Sequence, residues 1–273
     1  MNNLKDQSDL SLFEYYPNKK DIIGFLSIPH SGEYLPEDFE PFLSKDTKAL
    51  MQDVDYKVHE LIDIEQIADA GIAVIKSNII RTAIDLNRDK EKALLNWKNN
   101  SKGIKVVISE PSAEEAHRLI NLFYTPYFEL IKTTLNKLLE RTETPNFIDL
   151  HSMPSRATEY HLKINPGQSK VRPDFCVSDK SGTTCKKDFI DSVTNAISVK
   201  YKSVTQNNPY FGGYITEHVN NLIPSGNNIQ IEISREVYMD ENSQKLIPTK
   251  QAALKPFLTE VIIKTFQEKF KSI

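Results

Sequence analysis

The chain has 273 residues, and its 34 Lys and Arg against 37 Asp and Glu leave a net charge of −3, which excludes the basic footprint of a nucleic-acid or anionic-membrane binder. Hydrophobic residues at 39% and charged residues at 26% exclude a disordered chain and suit a globular protein whose core needs no metal or disulfide staple. The opening MNNLKDQSDL lacks the apolar segment of a signal peptide, and no apolar run approaches the ~18 residues that cross a bilayer, so a cytoplasmic location is expected.

No repeat or low-complexity linker breaks the chain, which reads as one domain over residues 1–273. IIGFLSI (22–28), ended by Pro29, predicts a buried strand. Leu50, Val54, Val58, Leu61 and Ile62 form an apolar stripe that predicts a helix over 46–63. IAVIK (72–76) and TAIDL (82–86) predict two strands. Ser112-x-x-Glu115 is a capping box for the longest helix, and Pro126 should kink or split that helix. FIDLHS (147–152) and PDFCVS (173–178) predict strands, followed by a helix over 186–203. An alternating strand, IQIEISR (229–235), and a closing helix over 250–271 complete the chain. Strands alternating with helices predict a layered α/β fold, with ligand groups at strand ends.

Two of the six histidines, His30 and His151, each close a strand-like apolar run, where an α/β fold builds its site. Imidazole is the commonest nitrogen ligand of zinc, and a hydrolytic zinc site takes three protein ligands plus one open position. Glu33, Asp53 and Asp55 are the candidate carboxylates. His117 and His161 sit in polar stretches and need no function. Only seven basic residues are arginine, and Arg81, Arg88, Arg156, Arg172 and Arg235 fall beside strand ends. Arginine clamps carboxylates bidentately, so this placement points to an anionic ligand. Cys176 and Cys185 make no disulfide framework. No G-x-S-x-G elbow, P-loop or G-x-G-x-x-G occurs.

Together, SIPHSG (27–32), DVDYKVHEL (53–61), RTAIDLNR (81–88), YTPY (124–127), IDLHS (148–152), RPDFCVSDKSGTTC (172–185), FGGYITEH (211–218) and QIEISREVYMDE (230–241) resemble the N-formylglutamate amidohydrolase family. The resemblance spans about residues 22–241. It implies a three-layer α/β/α sandwich around a mixed sheet, similar to the zinc carboxypeptidases and aspartoacylases. It implies hydrolysis of an N-acyl amide with a zinc ion on His30, Asp55 and His151, whereas the carboxypeptidase pattern would favour Glu33 as the carboxylate. By the same resemblance Glu232 is the general base, with His218 next in line. Arg88 and Asn87 hold a substrate carboxylate or the oxyanion, and Arg81 and Arg172 add to the carboxylate pocket.

The chain departs from the family pattern at Phe128, Pro154, Pro209, Phe211 and Glu217, where basic residues are usual. If these line the pocket, N-formylglutamate should be a poor substrate, and an N-acyl amino acid or dipeptide with one carboxylate and an apolar group a better one. The expected partner is therefore a small N-acyl amino acid or peptide-like amide, with no nucleic acid and no membrane. The competing readings are a non-catalytic binding protein on a decayed hydrolase scaffold and a carboxypeptidase-like peptidase.

Overall fold

In the computed structural model, which describes residues 11–17 and 22–270, the predicted buried runs form the middle of one sheet. Its strands are β1 (Phe13–Tyr16), β2 (Gly24–Ile28), β3 (Ile72–Ser77), β4 (Asn146–Met153), β5 (Phe175–Ser178), β6 (Val204–Gln206) and β7 (Asn227–Ser234). They lie in the order β1-β3-β2-β4-β7-β5-β6. Pairing is antiparallel at β1–β3 and β5–β7 and parallel elsewhere.

The helices are α1 (Thr47–Leu50), α2 (Ile64–Asp69), α3 (Lys90–Ala93), α4 (Ala113–Phe123), α5 (Thr125–Leu139), α6 (Glu159–Ile164), α7 (Lys187–Ser198), α8 (Tyr214–Leu222) and α9 (Pro248–Phe270). Side chains alternate across each strand, so Phe25 and Phe147 face one side of the sheet while Leu26 and Ile148 face the other. On the first side α4, α5 and α8 supply Leu119, Phe123, Tyr127, Ile131, Ile215 and Val219. On the second, α2, α7 and α9 supply Ile67, Phe189, Val193, Ile197, Leu254 and Ile262. Both faces of the central strands are therefore dry, which is why β2, β3 and β4 are buried along their whole length.

Two expectations need correction. The stripe over 46–63 is not one helix. It is α1 followed by 3-10 turns at Met51–Asp53 and Val58–Leu61, with Val54 extended and Lys57 left-handed at φ 58°. The break turns the Asp55 backbone N–H onto the His30 carbonyl at 3.0 Å, and Val54, Val58 and Leu61 stay buried. TAIDL forms turns rather than a strand: Ile84 makes a single bridge to Leu94, and the Asp85 N–H donates to the Ala93 carbonyl. The alternating strand β7 is buried along its whole length, polar side chains included.

The predicted long helix does split, into α4 and α5. Ser112 Oγ accepts the Glu115 N–H at one end, and Pro126 lies in the first turn of α5, where its missing N–H costs nothing. The reading of the first ten residues and the last residue assigned to the closing helix lie outside the described residues. Among the described residues no helix is long and apolar enough to cross a membrane.

Candidate active site

The parallel strands β2, β4 and β7 end at the same edge of the sheet. His30 follows β2, His151 lies near the end of β4, and Glu232 is its register partner on β7. Residues two apart on a strand share a face, so Asp149 sits directly beneath His151, with Oδ2 2.8 Å from His151 Nε2. Asp149 Oδ1 accepts the Ser27 hydroxyl at 2.7 Å. The turn that replaced the predicted TAIDL strand brings in Asp85, whose Oδ1 lies 2.9 Å from His30 Nε2.

Both imidazoles thus turn Nε2 to a buried aspartate and Nδ1 to Asp55. Asp55 Oδ2 lies 2.9 Å from His151 Nδ1 and 3.8 Å from His30 Nδ1. The other oxygen of Asp55 accepts the Ser152 hydroxyl at 3.3 Å and faces the Arg81 and Arg235 guanidiniums, each at 3.9 Å. Burial, reinforced by the Arg81 charge, pulls His30 down to about 4. It is neutral at pH 7, and neither of its buried ring nitrogens makes a well-aligned hydrogen bond, Nδ1 being the one with no polar atom closer than the Asp55 oxygen. His151 is the reverse: burial disfavours its charge, but Asp149 and Asp55 outweigh burial and hold it well above the usual range. Burial drives Glu232 upward, and the neighbouring Asp55 charge adds to the shift.

His30, Asp55 and His151 are all buried, and their ligating atoms lie within 4.8 Å of one another. The set fits a metal ion. The orphaned Nδ1 of His30 needs a partner, two imidazole nitrogens and a carboxylate oxygen are ligands of a hydrolytic zinc site, and Asp85 and Asp149 orient the rings from behind. Glu33, the alternative carboxylate, stands apart. Its carboxylate is ion-paired with Lys57 at 3.1 Å and is not part of the cluster. Asp53 accepts the Ser101 N–H at 2.9 Å and also stands outside it.

The cluster opens into a cavity of about 580 Å³ whose wall includes Glu232, Asn87, Arg81, Arg88, Arg172 and Arg235. Two of the four arginines are tied down. Arg81 pairs with Asp85 at 3.2 Å and stacks on Trp97 at 5.2 Å, and Arg235 donates to the carbonyls of Val54 and Gln52. Arg172 and Arg88 make no ion pair among the described residues. Arg172 is only 6% exposed, its Nε has no partner, Nη2 donates to Gln168 Oε1 at 3.0 Å, and the group stacks on Tyr210 at 5.1 Å. Arg88 donates to the carbonyl of Asn87.

Asn87 joins the loop to the start of α8. Its Oδ1 accepts the Ile215 N–H at 2.9 Å, and its Nδ2 donates to Gln230 at 3.3 Å and lies 3.5 Å from His151 Nε2. A Cβ on Gly213 would stand 2.0 Å from Asn87 Nδ2, so the second glycine of FGGYITEH is the space in which that amide sits.

Other expected positions fall elsewhere. His218 packs its ring against Phe128 at 4.9 Å and Tyr214 at 5.6 Å and is not in the cavity wall. Phe128 is a core residue, and Glu217 pairs with Lys180 at 2.6 Å. Pro154, Pro209 and Phe211 do line the cavity. Of the five departures, Phe128 and Glu217 are therefore not in the cavity wall, whereas Arg172 is. Arg156 bridges to Val171 and is also outside the wall.

Sequence reasoning missed Asp85, Asp149, Gln230, Trp97, Tyr160 and Tyr210, and it gave no function to His161, which lines the cavity. The signal for Asp149 was present in D-x-H, since two-residue spacing on a strand stacks the carboxylate under the imidazole.

The N-formylglutamate amidohydrolase family model matches residues 25–239. An N-formylglutamate deformylase from Pseudomonas putida is 26% identical over 256 residues, covering 87% of this chain and 91% of that protein. An N-formylglutamate deformylase from Pseudomonas aeruginosa is 25% identical over 232 residues, covering 80% and 82%. The crystal structure of an N-formylglutamate amidohydrolase from Ralstonia eutropha JMP134 superposes with a TM-score of 0.84 at 24% identity, over 97% of this chain and all of that one, and so shares the fold. A match over that span, on a chain whose buried His-Asp-His group opens into an arginine-lined cavity, makes this protein a member of the N-formylglutamate amidohydrolase family.

Proposed function

We propose that the chain is a zinc-dependent amidohydrolase that cleaves N-formyl or N-acyl amino acids, N-formylglutamate included. The observation that carries the reading is the unpartnered Nδ1 of His30 facing Asp55 and His151 beside the buried Glu232. His30, Asp55 and His151 would hold the ion, which when bound would lower the pKa of a water to about 7 and polarise the acyl oxygen.

The protein's own groups do the rest. Glu232, next to the cluster, takes a proton from the attacking water and delivers it to the leaving nitrogen, and burial, which favours its protonated form, suits it to hold that proton between the two transfers. Asn87 spends one N–H on Gln230 and keeps the other for the acyl oxygen as charge builds there. Arg172 and Arg88, lacking acidic partners, bind the substrate carboxylates, and Arg81 positions Asp85 and Asp55. The mixed sheet covered on both faces, with its ligands at strand ends, supports kinship with the zinc carboxypeptidases and a single hydrolytic domain.

Formate release from N-formylglutamate by zinc-loaded protein tests the reading, with His151→Ala as the partner variant. The expected result is one zinc per chain and turnover in the parent, and loss of both in the variant. A zinc-bound parent that hydrolyses no N-acyl amino acid would make the chain a binding protein instead.

A further inference from the structure

The cavity has two chemically distinct zones. Its inner wall is buried and polar, with Glu232 at 7% exposure and Arg172 at 6%. Its outer part, the mouth, carries an open apolar patch: Tyr160 is 41% exposed, Ile164 66% and Phe211 52%, and all three line the same cavity, as do Trp97, Pro154 and Pro209, beside the partly exposed His161, Asn165 and Gln168. Single exposed apolar side chains are ordinary, but several drawn from separate segments around one opening mark a surface that something covers.

The helix α6 sharpens the point. It buries none of its residues in the core. Tyr160 and Ile164, four apart and therefore on one face, both turn to the cavity, and the Tyr160 ring lies 5.7 Å from Trp97. The short helix presents two apolar side chains to the site and none to the hydrophobic core. A formyl group and a glutamate side chain carry nothing that would cover such a mouth.

We infer that the mouth is an apolar subsite, formed by Trp97, Tyr160, Ile164 and Phe211, for a bulky aromatic or branched hydrocarbon group on the substrate, while the inner arginines take its carboxylate. This rests on the reading of the cavity as the substrate site. The group would reside on the acyl side or on the amino-acid side chain, and two matched pairs of ligands separate these: phenylacetylglutamate against N-formylglutamate, and N-formylphenylalanine against N-formylalanine.

Trp97 is the only tryptophan, so its fluorescence on rapid mixing reports binding before any turnover. Covering an aromatic group in a preformed apolar site is worth a factor of about ten or more in affinity. We expect one of the two pairs to show at least that ratio, and we expect it to fall toward unity in Tyr160→Ser/Ile164→Ser, whose positions are exposed and bear little on folding. Phe211→Ser should lower the same ratio. Ratios near unity for both pairs in the parent, or a ratio that survives the double variant, overturn the subsite. N-formylglutamate turnover with both ratios at unity would leave the hydrolase standing without the subsite. A tenfold ratio in a protein that turns over no amide would do the reverse.

Discussion

Replacing Arg172 with methionine should separate binding from stability. The guanidinium is buried, makes no ion pair among the described residues, and leaves Nε unpartnered. Within the protein its support is one hydrogen bond to Gln168 at 3.0 Å, a long one to the Pro154 carbonyl at 3.5 Å and the Tyr210 face at 5.1 Å. Those contacts are worth about 1 kcal/mol for a hydrogen bond and about 1–2 kcal/mol for a desolvated cation–π pair. Desolvating the unpaired cation costs several kcal/mol in the opposite direction. An apolar side chain of similar length should therefore leave stability unchanged or raise it by about 1 kcal/mol.

With substrate bound the balance reverses, because the carboxylate then loses its partner. Truncating one member of a buried charged pair costs about 2–5 kcal/mol, a factor of roughly 30 to several thousand. A group that grips the carboxylate equally in the ground and transition states should raise KM with little change in kcat. Urea unfolding and formate-release kinetics on Arg172→Met provide the assay. A variant that loses more than about 1 kcal/mol of stability, or one whose KM is unchanged, would refute the view of Arg172 as a cation held in reserve for the substrate.

Glu232→Gln should retain the metal and lose about 10²–10⁴-fold in turnover, the size of an acid–base contribution; near-normal turnover would place the base elsewhere. Gly213→Ala puts a methyl 2.0 Å from Asn87 Nδ2, and displacing that amide strips the Ile215 N–H of its acceptor. A loss of about 1–3 kcal/mol is expected, and an unchanged unfolding midpoint would show that Asn87 moves freely. At the sheet edge, burial tends to raise Glu14, but hydrogen bonds from Lys76, Tyr16 and Asn78 prevail and bring it from 4.5 to about 2. Its stabilisation is present above pH 4.5, is lost as pH falls toward 2, and is at most about 1 kcal/mol because the pair is partly exposed. Glu14→Gln should accordingly cost that amount at pH 7 and nothing near pH 2, and an equal cost at both would discount the ion pair.

Local pattern was sufficient for the parts of this protein that depend on neighbours in the chain. Apolar runs specified β2, β3 and β4, and a cap with a proline in the first turn specified where α4 ends and α5 begins. His30 and His151 were legible because each closes such a run. What the chain alone did not decide was whether Asp55 or Glu33 completes the group. That depended on breaking the expected 46–63 helix, and the break is held by a hydrogen bond to His30, distant in sequence. Likewise Asp85 belongs to a segment patterned as a strand, and the partners that hold it in a turn include His30 and Trp97, distant in sequence, as well as Arg81 and the Asn87 N–H. The edge strands β1 and β6 and the exposed helix α6 are too short to show a period in the sequence. Cavity charge was decided by tertiary structure as well: Glu217 and Arg172 are both ionic in sequence, but Lys180 neutralises the first on the surface, while the fold leaves the second buried and unpaired. Periodicity records which face of an element is buried, and only the assembled fold determines which charges meet.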